Sequence, residues 1–254
     1  MRARLLSILF ASITASIFVH STLAFAATNI GIPGLSLSVA PSTGPTGVVN
    51  TVQILVMLTV LSIAPAILIM MTAFTRIVVV LSFVRSALAL QTTPPNQVII
   101  GLSLFLTLFV MTPTFSAVNK NAIQPYLAGH MSQTTAIAQA EYPFKVFMAK
   151  QTRIQDVELF LQYRHEAQPK SLTTLPLTTL VPAFVISELE TAFQIGFMIY
   201  IPFLIIDLVV ATTLMSLGMM MLPPVLISLP FKLLLFVMVD GWYLVVKSLL
   251  AGFH

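Results

Sequence analysis

Charge is scarce in this chain, and where it sits inside apolar stretches it needs an explanation. Glu188 and Glu190 fall in PAFVISELETAFQIGF, Asp207 in IPFLIIDLVVATTLMSLG, and Lys232, Asp240 and Lys247 in the apolar run that follows. A charge in hydrocarbon is costly, so each of these should face a partner or an aqueous cavity. Lys247 and Asp240 are explained by lying near helix ends and reaching water. Asp207 is not, because its neighbours are apolar for several residues either way. A proton-carrying role for Asp207, in a proton channel or secondary transporter, is one chemical reading of such a site. Ion pairing is the other.

Catalytic and metal-binding patterns are missing. RHEAQPK (residues 164–170) begins like the H-E-x-x-H of zinc proteases, but Pro169 occupies the place of the second histidine and would break the helix. His20, His130, His165 and His254 have no ligand spacing, and the chain contains no cysteine. Neither G-x-S-x-G nor G-x-x-x-x-G-K occurs. No enzymatic activity, metal or cofactor is expected. The remaining local feature is LMSLGMMMLPP (residues 214–224), with Gly218, then Met219, Met220 and Met221 in a row, then Pro223 and Pro224. Met clusters more often pack a helix end than do anything else.

The elements that must position these residues follow from composition. Of 254 residues, 57% are hydrophobic and only 8% charged, against roughly 25% charged in a soluble domain. The chain is therefore membrane-associated. Its net charge of +4 comes without a Lys/Arg stripe, so nucleic acid is not a partner.

Arg2 and Arg4, an apolar core over residues 5–19 and Ala24-Phe25-Ala26 read as a cleavable signal peptide, residues 1–26. Residues 27–50, rich in Gly, Pro, Ser and Thr, read as an extended linker. Residues 51–118 read as a first apolar helical hairpin. Its charge-free runs, 51–71 and 97–118, are each long enough to cross a bilayer. Between them Arg76 and Arg85 are expected to anchor a helix at the cytoplasmic surface. Residues 119–180 carry half of all the charges and read as a small, mainly helical polar domain. The signal peptide puts the mature N-terminus and this domain on the periplasmic side, although their basic residues pull the other way.

Residues 181–254 are apolar again, with helices expected at about 184–200, 202–221 and 225–250 and prolines as punctuation. The fold class is thus all-α. A hairpin turning at Pro223-Pro224 would leave Asp207 and Asp240 level with each other, both ~24 Å from the turn, and Lys232 ~10 Å nearer to it. Such a hairpin does not match Asp207 with a lysine. An oligomer joined by intersubunit pairs of Lys232 with Glu188 or Asp207 is the expected solution.

The two stretches 182–197 and 202–224 closely resemble the signature segments of the FliP family, the flagellar protein-export gate proteins with relatives in virulence type III secretion. The resemblance covers essentially the whole mature chain. The signal and the linker look more like the flagellar branch. It implies a homo-oligomer of several copies, with five as the family's count, in the bacterial inner membrane at the flagellar basal body. It further implies assembly with FliQ and FliR into a tall helical cone, association with FlhB and FlhA, and passage of unfolded flagellar substrates. Under the resemblance, Met219, Met220 and Met221 match a seal at the channel's narrowest point. Gly218, Pro223 and Pro224 would bound that seal, with Glu190 and Asp240 as further signature or buried charges.

Overall fold

The computed structural model describes residues 45–167, 169–219 and 221–253, with backbone alone for 45–51. The expected signal peptide, the linker up to residue 44, Met220 and His254 lie outside the described residues. Among the described residues nine α-helices follow one another: α1 (Pro45–Met70), α2 (Phe74–Ala87), α3 (Asn96–Val118), α4 (Gln124–Leu127), α5 (Gln133–Gln151), α6 (Ile154–Arg164), α7 (Leu177–Ser216), α8 (Pro224–Met238) and α9 (Gly241–Ala251). A π-helical turn (Asn119–Ile123) carries α3 into α4, and a 3-10 turn (Leu172–Thr174) precedes α7. No strand occurs among the described residues, so the fold is all-α.

Residues 45–62 belong to a different unit from residues 63–254. The expected linker ends earlier than residue 50, because α1 starts at Pro45. Proline suits a first helical position, where no N–H is needed and φ is already helical.

Within residues 63–254, α2 is the central element. Its buried Ile77, Val80, Leu81, Val84 and Ala87 recur at the helical period. They pack with Ala192 and Phe203 of α7, Phe236 of α8, and Val245 and Leu249 of α9. Phe83 meets Phe193 edge to face, with ring centroids 5.2 Å apart. Gly196 lets α7 come this close, since a Cβ there would stand 2.5 Å from the Phe83 ring. A second core joins Met148 of α5, and Val157 and Leu161 of α6, to Leu180, Ala183 and Phe184 at the start of α7. The charged segment 119–180 is therefore built onto the first turns of α7.

Two expected helix boundaries are corrected. The helices expected at 184–200 and 202–221 are one 40-residue helix that runs through Pro182 and Pro202 and stops at Ser216. Each proline forfeits one backbone bond. A full break would leave several orphan groups on each side in apolar surroundings, so continuity costs less. The helix expected at 225–250 is instead two helices bent by 64°. Asp240 sits at the bend in the left-handed region, φ 52°. The Phe236 ring lies against Gly241, leaving no room for a side chain there.

Among the described residues three helical segments are long and apolar enough to cross a membrane: Val52–Met70, Asn96–Leu127 and Leu177–Ser216. The bent pair α8–α9 makes a fourth if counted as one span. Only 11% of the apolar window in Leu177–Ser216 is buried. Lipid or other protein must cover the rest, because exposed apolar surface on this scale is unfavourable in water.

Candidate functional site: buried ion pairs and a methionine corner

The buried charges meet partners within the chain. Arg76, on α2, is 2% exposed, and Glu188, on α7, is fully buried. The Arg76 Nε donates to Glu188 Oε2 at 2.8 Å, and its Nη2 donates to Oε1. This is the bidentate geometry that guanidinium and carboxylate favour. The sequence reading placed Arg76 at the cytoplasmic surface as an anchor, which the structure corrects. The α2 stripe faces inward, and Arg76 lies on it beside Ile77. Arg85, half-buried on the same helix, donates to Asn96 Oδ1 at 2.5 Å and to the Pro94 carbonyl at 3.4 Å.

Lys232, on α8, is 2% exposed. Its Nζ donates to Asp207 Oδ2 of α7 at 2.6 Å, while Ser228 Oγ donates to Oδ1 at 2.5 Å. Both carboxylate oxygens are thereby engaged inside one α7–α8 hairpin. Lys232 and Asp207, expected to pair between subunits, here meet within the chain. The reason is the turn. Helix α7 ends at Ser216 and α8 starts at Pro224. Asp207 is nine residues before that end and Lys232 eight after that start, or ~13 Å and ~12 Å along their helices. The two side chains are level. Asp240, expected to be level with Asp207, is sixteen residues past the start of α8, ~24 Å along, and so lies beyond it.

A third cluster joins α6 to α7. Arg153 donates to Asp156 from Nε and Nη2, both at 3.0 Å, and also pairs with Glu190. Ser187 Oγ donates to Asp156 Oδ2 at 2.5 Å and accepts from the Arg153 backbone N–H at 3.0 Å. Burial presses the Asp156 carboxyl upward, but the hydrogen bonds from Arg153 and Ser187 outweigh it and hold it below the usual carboxylate range. Glu190 is half exposed and also accepts from Gln194 at 3.2 Å.

The methionine corner lies between α7 and α8. Gly218 (φ 75°) ends α7: its N–H bonds the Met215 carbonyl and the Met219 N–H bonds Leu214, both at 3.0 Å. This paired closure through a left-handed glycine is the Schellman motif. Pro223 and Pro224 do not stop the preceding helix, as the sequence reading had it. They cap and open α8, where a fixed φ is an advantage. Met219 is 47% exposed and Met221 98%. The corner is therefore an apolar tip that its own chain leaves uncovered.

The FliP family model matches residues 57–249, which takes in every one of these features. The chain belongs to the FliP family. It is 62% identical over 217 residues to a flagellar biosynthetic protein FliP of Bacillus subtilis, covering 85% of this chain and 98% of the relative. A FliP of Caulobacter vibrioides is 47% identical over 253 residues, 100% of this chain and 91% of its own length. One of Aquifex aeolicus is 48% identical over 225 residues, covering 88% and 92%.

In this FliP-family chain the structure brings Asp207 and Lys232 together and keeps Glu188 apart from both, on Arg76. Sequence reasoning missed Arg76, Ser187, Ser228 and the Arg153–Asp156 pair. The signal for Arg76 was present, since the demand for a partner that singled out Glu188 applies equally to an arginine between charge-free runs. Nothing local could match residues 112 positions apart.

Proposed function

We propose that this chain is a wall-and-seal subunit of the flagellar protein-export gate, several copies of which line a channel for unfolded flagellar substrates. The observation that carries this reading is the methionine corner: an apolar tip, open to contact, at the end of a hairpin braced by the Asp207–Lys232–Ser228 bonds. Methionine is unbranched and polarisable, so side chains from several copies can fill an irregular opening and re-pack around different passing residues. An apolar constriction also resists ion leakage by excluding water. Met219, Met220 and Met221 form that closure, while Gly218, Pro223 and Pro224 set its backbone.

The buried pairs support a wall rather than a proton path. With an ammonium on one oxygen and a hydroxyl on the other, Asp207 serves as a brace. The uncovered apolar surface of α3, α7 and α8 fits a helical cone in which further copies, FliQ and FliR cover it, with FlhB and FlhA alongside. The gate would sit in the bacterial inner membrane at the flagellar basal body, with the 119–180 segment on the periplasmic side. That the relatives are flagellar biosynthetic proteins favours the flagellar export system over virulence secretion.

Single cysteines at 219 and 221, in cells exporting a substrate stalled by a folded domain, provide the test. Crosslinks to the stalled substrate are expected from 219 and 221 and not from a control at Ile137, which is exposed on α5. Crosslinking equal to that of the control would overturn the seal. Replacing all three methionines by alanine should raise ion leakage through the gate without preventing assembly.

A further inference from the structure

The Arg76 guanidinium holds more than Glu188. Its Nη2 also donates to Gln151 Oε1, at the end of α5, at 3.0 Å. Its Nη1 donates to the carbonyl of Gly252, just past α9, at 2.8 Å. The Phe253 ring covers the guanidinium, 4.1 Å from ring centroid to Cζ. Phe253 in turn stacks on Phe147 with centroids 6.4 Å apart and planes 22° apart, and Phe147 meets Phe184 of α7 edge to face. Phe147 and Gln151 are four residues apart on one face of α5. One arginine thus joins α2, α5, α7 and the residues after α9.

We infer that Gly252–Phe253 is a strap that closes over the buried Arg76–Glu188 pair, and that Arg76 is the positioning residue through which α9 is fastened to α2, α5 and α7. This goes beyond the channel reading and does not depend on it. The strap lies outside residues 57–249 that the family model matches.

Three physical points support the fastening. First, a buried guanidinium needs its donors met. Glu188 takes two, leaving donors that Gln151 and the Gly252 carbonyl accept. Second, an aromatic face attracts a cation more strongly when the cation is desolvated, as Arg76 is here. It also shuts water out of the ion pair, which strengthens the remaining bonds. Third, α9 has a weak hold elsewhere. It is an 11-residue helix separated from α8 by a 64° bend, and beyond Gly241 only Val245 and Leu249 of its own residues are fully buried. Without the strap, a helix this short has little to stop it from lifting away.

The test uses the full chain purified in detergent, with amide hydrogen exchange followed across α9. Phe253→Leu keeps the bulk and loses the ring face, whereas Phe253→Tyr keeps the face. Faster exchange of the α9 amides by roughly tenfold or more is expected in Phe253→Leu, with little change in Phe253→Tyr and little change in α6 in either. Trp242, the chain's one tryptophan, sits at the start of α9 edge-on to Phe236 with centroids 5.5 Å apart. Its emission should shift in Phe253→Leu and stay in Phe253→Tyr. Arg76→Lys should match Phe253→Leu at α9 because an ammonium cannot span Glu188, Gln151 and Gly252 in one plane. Unchanged α9 exchange in Phe253→Leu, or equal acceleration in both Phe253 variants, would overturn the strap. Cysteine crosslinks at 219 and 221 would be unaffected by that outcome.

Discussion

The Asp207–Lys232 pair yields a ranked expectation for three variants. Lys232 is 2% exposed and Asp207 23%, so the partners left behind differ. Asp207→Asn strands a buried ammonium, a loss of ~3–5 kcal/mol for a broken buried pair. Lys232→Met replaces the lysine with an apolar chain of similar length. It leaves a carboxylate that is about a quarter exposed and still accepts from Ser228, a loss of ~1–2 kcal/mol. In the double variant both charges are gone, and an amide bonded to Ser228 faces an apolar side chain. Its stability should return to within ~1 kcal/mol of the parent, since neutral replacements of buried pairs often cost little. At roughly 2–4 °C per kcal/mol for a chain of this size, Asp207→Asn should melt ~10 °C lower and Lys232→Met a few degrees lower. Thermal unfolding of the detergent-purified full chain, followed by circular dichroism, measures all three. The reasoning fails if Lys232→Met is as damaging as Asp207→Asn, or if the double variant is no better than Asp207→Asn. Either result would mean that the pair is not what holds α7 to α8.

Three further outcomes follow from particular contacts. Gly196→Ala would set a Cβ 2.5 Å from the Phe83 ring, an overpacking loss of ~1–3 kcal/mol. Adding Phe83→Ala should relieve part of it, as read by the melting temperature. Gly218→Ala forces a side chain into the left-handed region at φ 75°, costing ~1 kcal/mol, whereas Gly218→Asn should cost less because asparagine tolerates that conformation. Asp156 is held below the usual carboxylate range in the folded chain. Its contribution is therefore complete above the ordinary carboxylate value and is lost as pH falls through the depressed one. Protection of the amides at the start of α6, taken relative to their intrinsic exchange rate at each pH, should fall on acidification through that window. In Ser187→Ala the loss of protection should begin at higher pH.

Much of this protein was legible in its residues. The charge-free runs announced membrane-scale helices, and the signature segments around Glu188 and Asp207 pointed to the FliP family. Gly218 carries no such mark, because glycine takes helical and left-handed backbone alike, and its φ of 75° belongs to the folded chain. The proline breaks were misread. The cost of a proline is local, but the cost of the alternative depends on what surrounds the opened backbone. The hairpin register was misread for a related reason. Placing its turn at Pro223-Pro224 ignored the Gly218 closure five residues earlier, and that shift is what brings Asp207 level with Lys232.

The sequence by itself determined that Glu188, Asp207 and Lys232 could not be left alone: each carries a charge into apolar surroundings, and that penalty belongs to the residue wherever it folds. Only the tertiary structure decided their partners. Glu188 went to Arg76 on α2 rather than to Lys232, and Arg76 drew in Gln151, Gly252 and Phe253 from distant parts of the chain. Pairing depends on helix register, bend angle and loop length together, and these are properties of the packed chain that no single stretch of it contains.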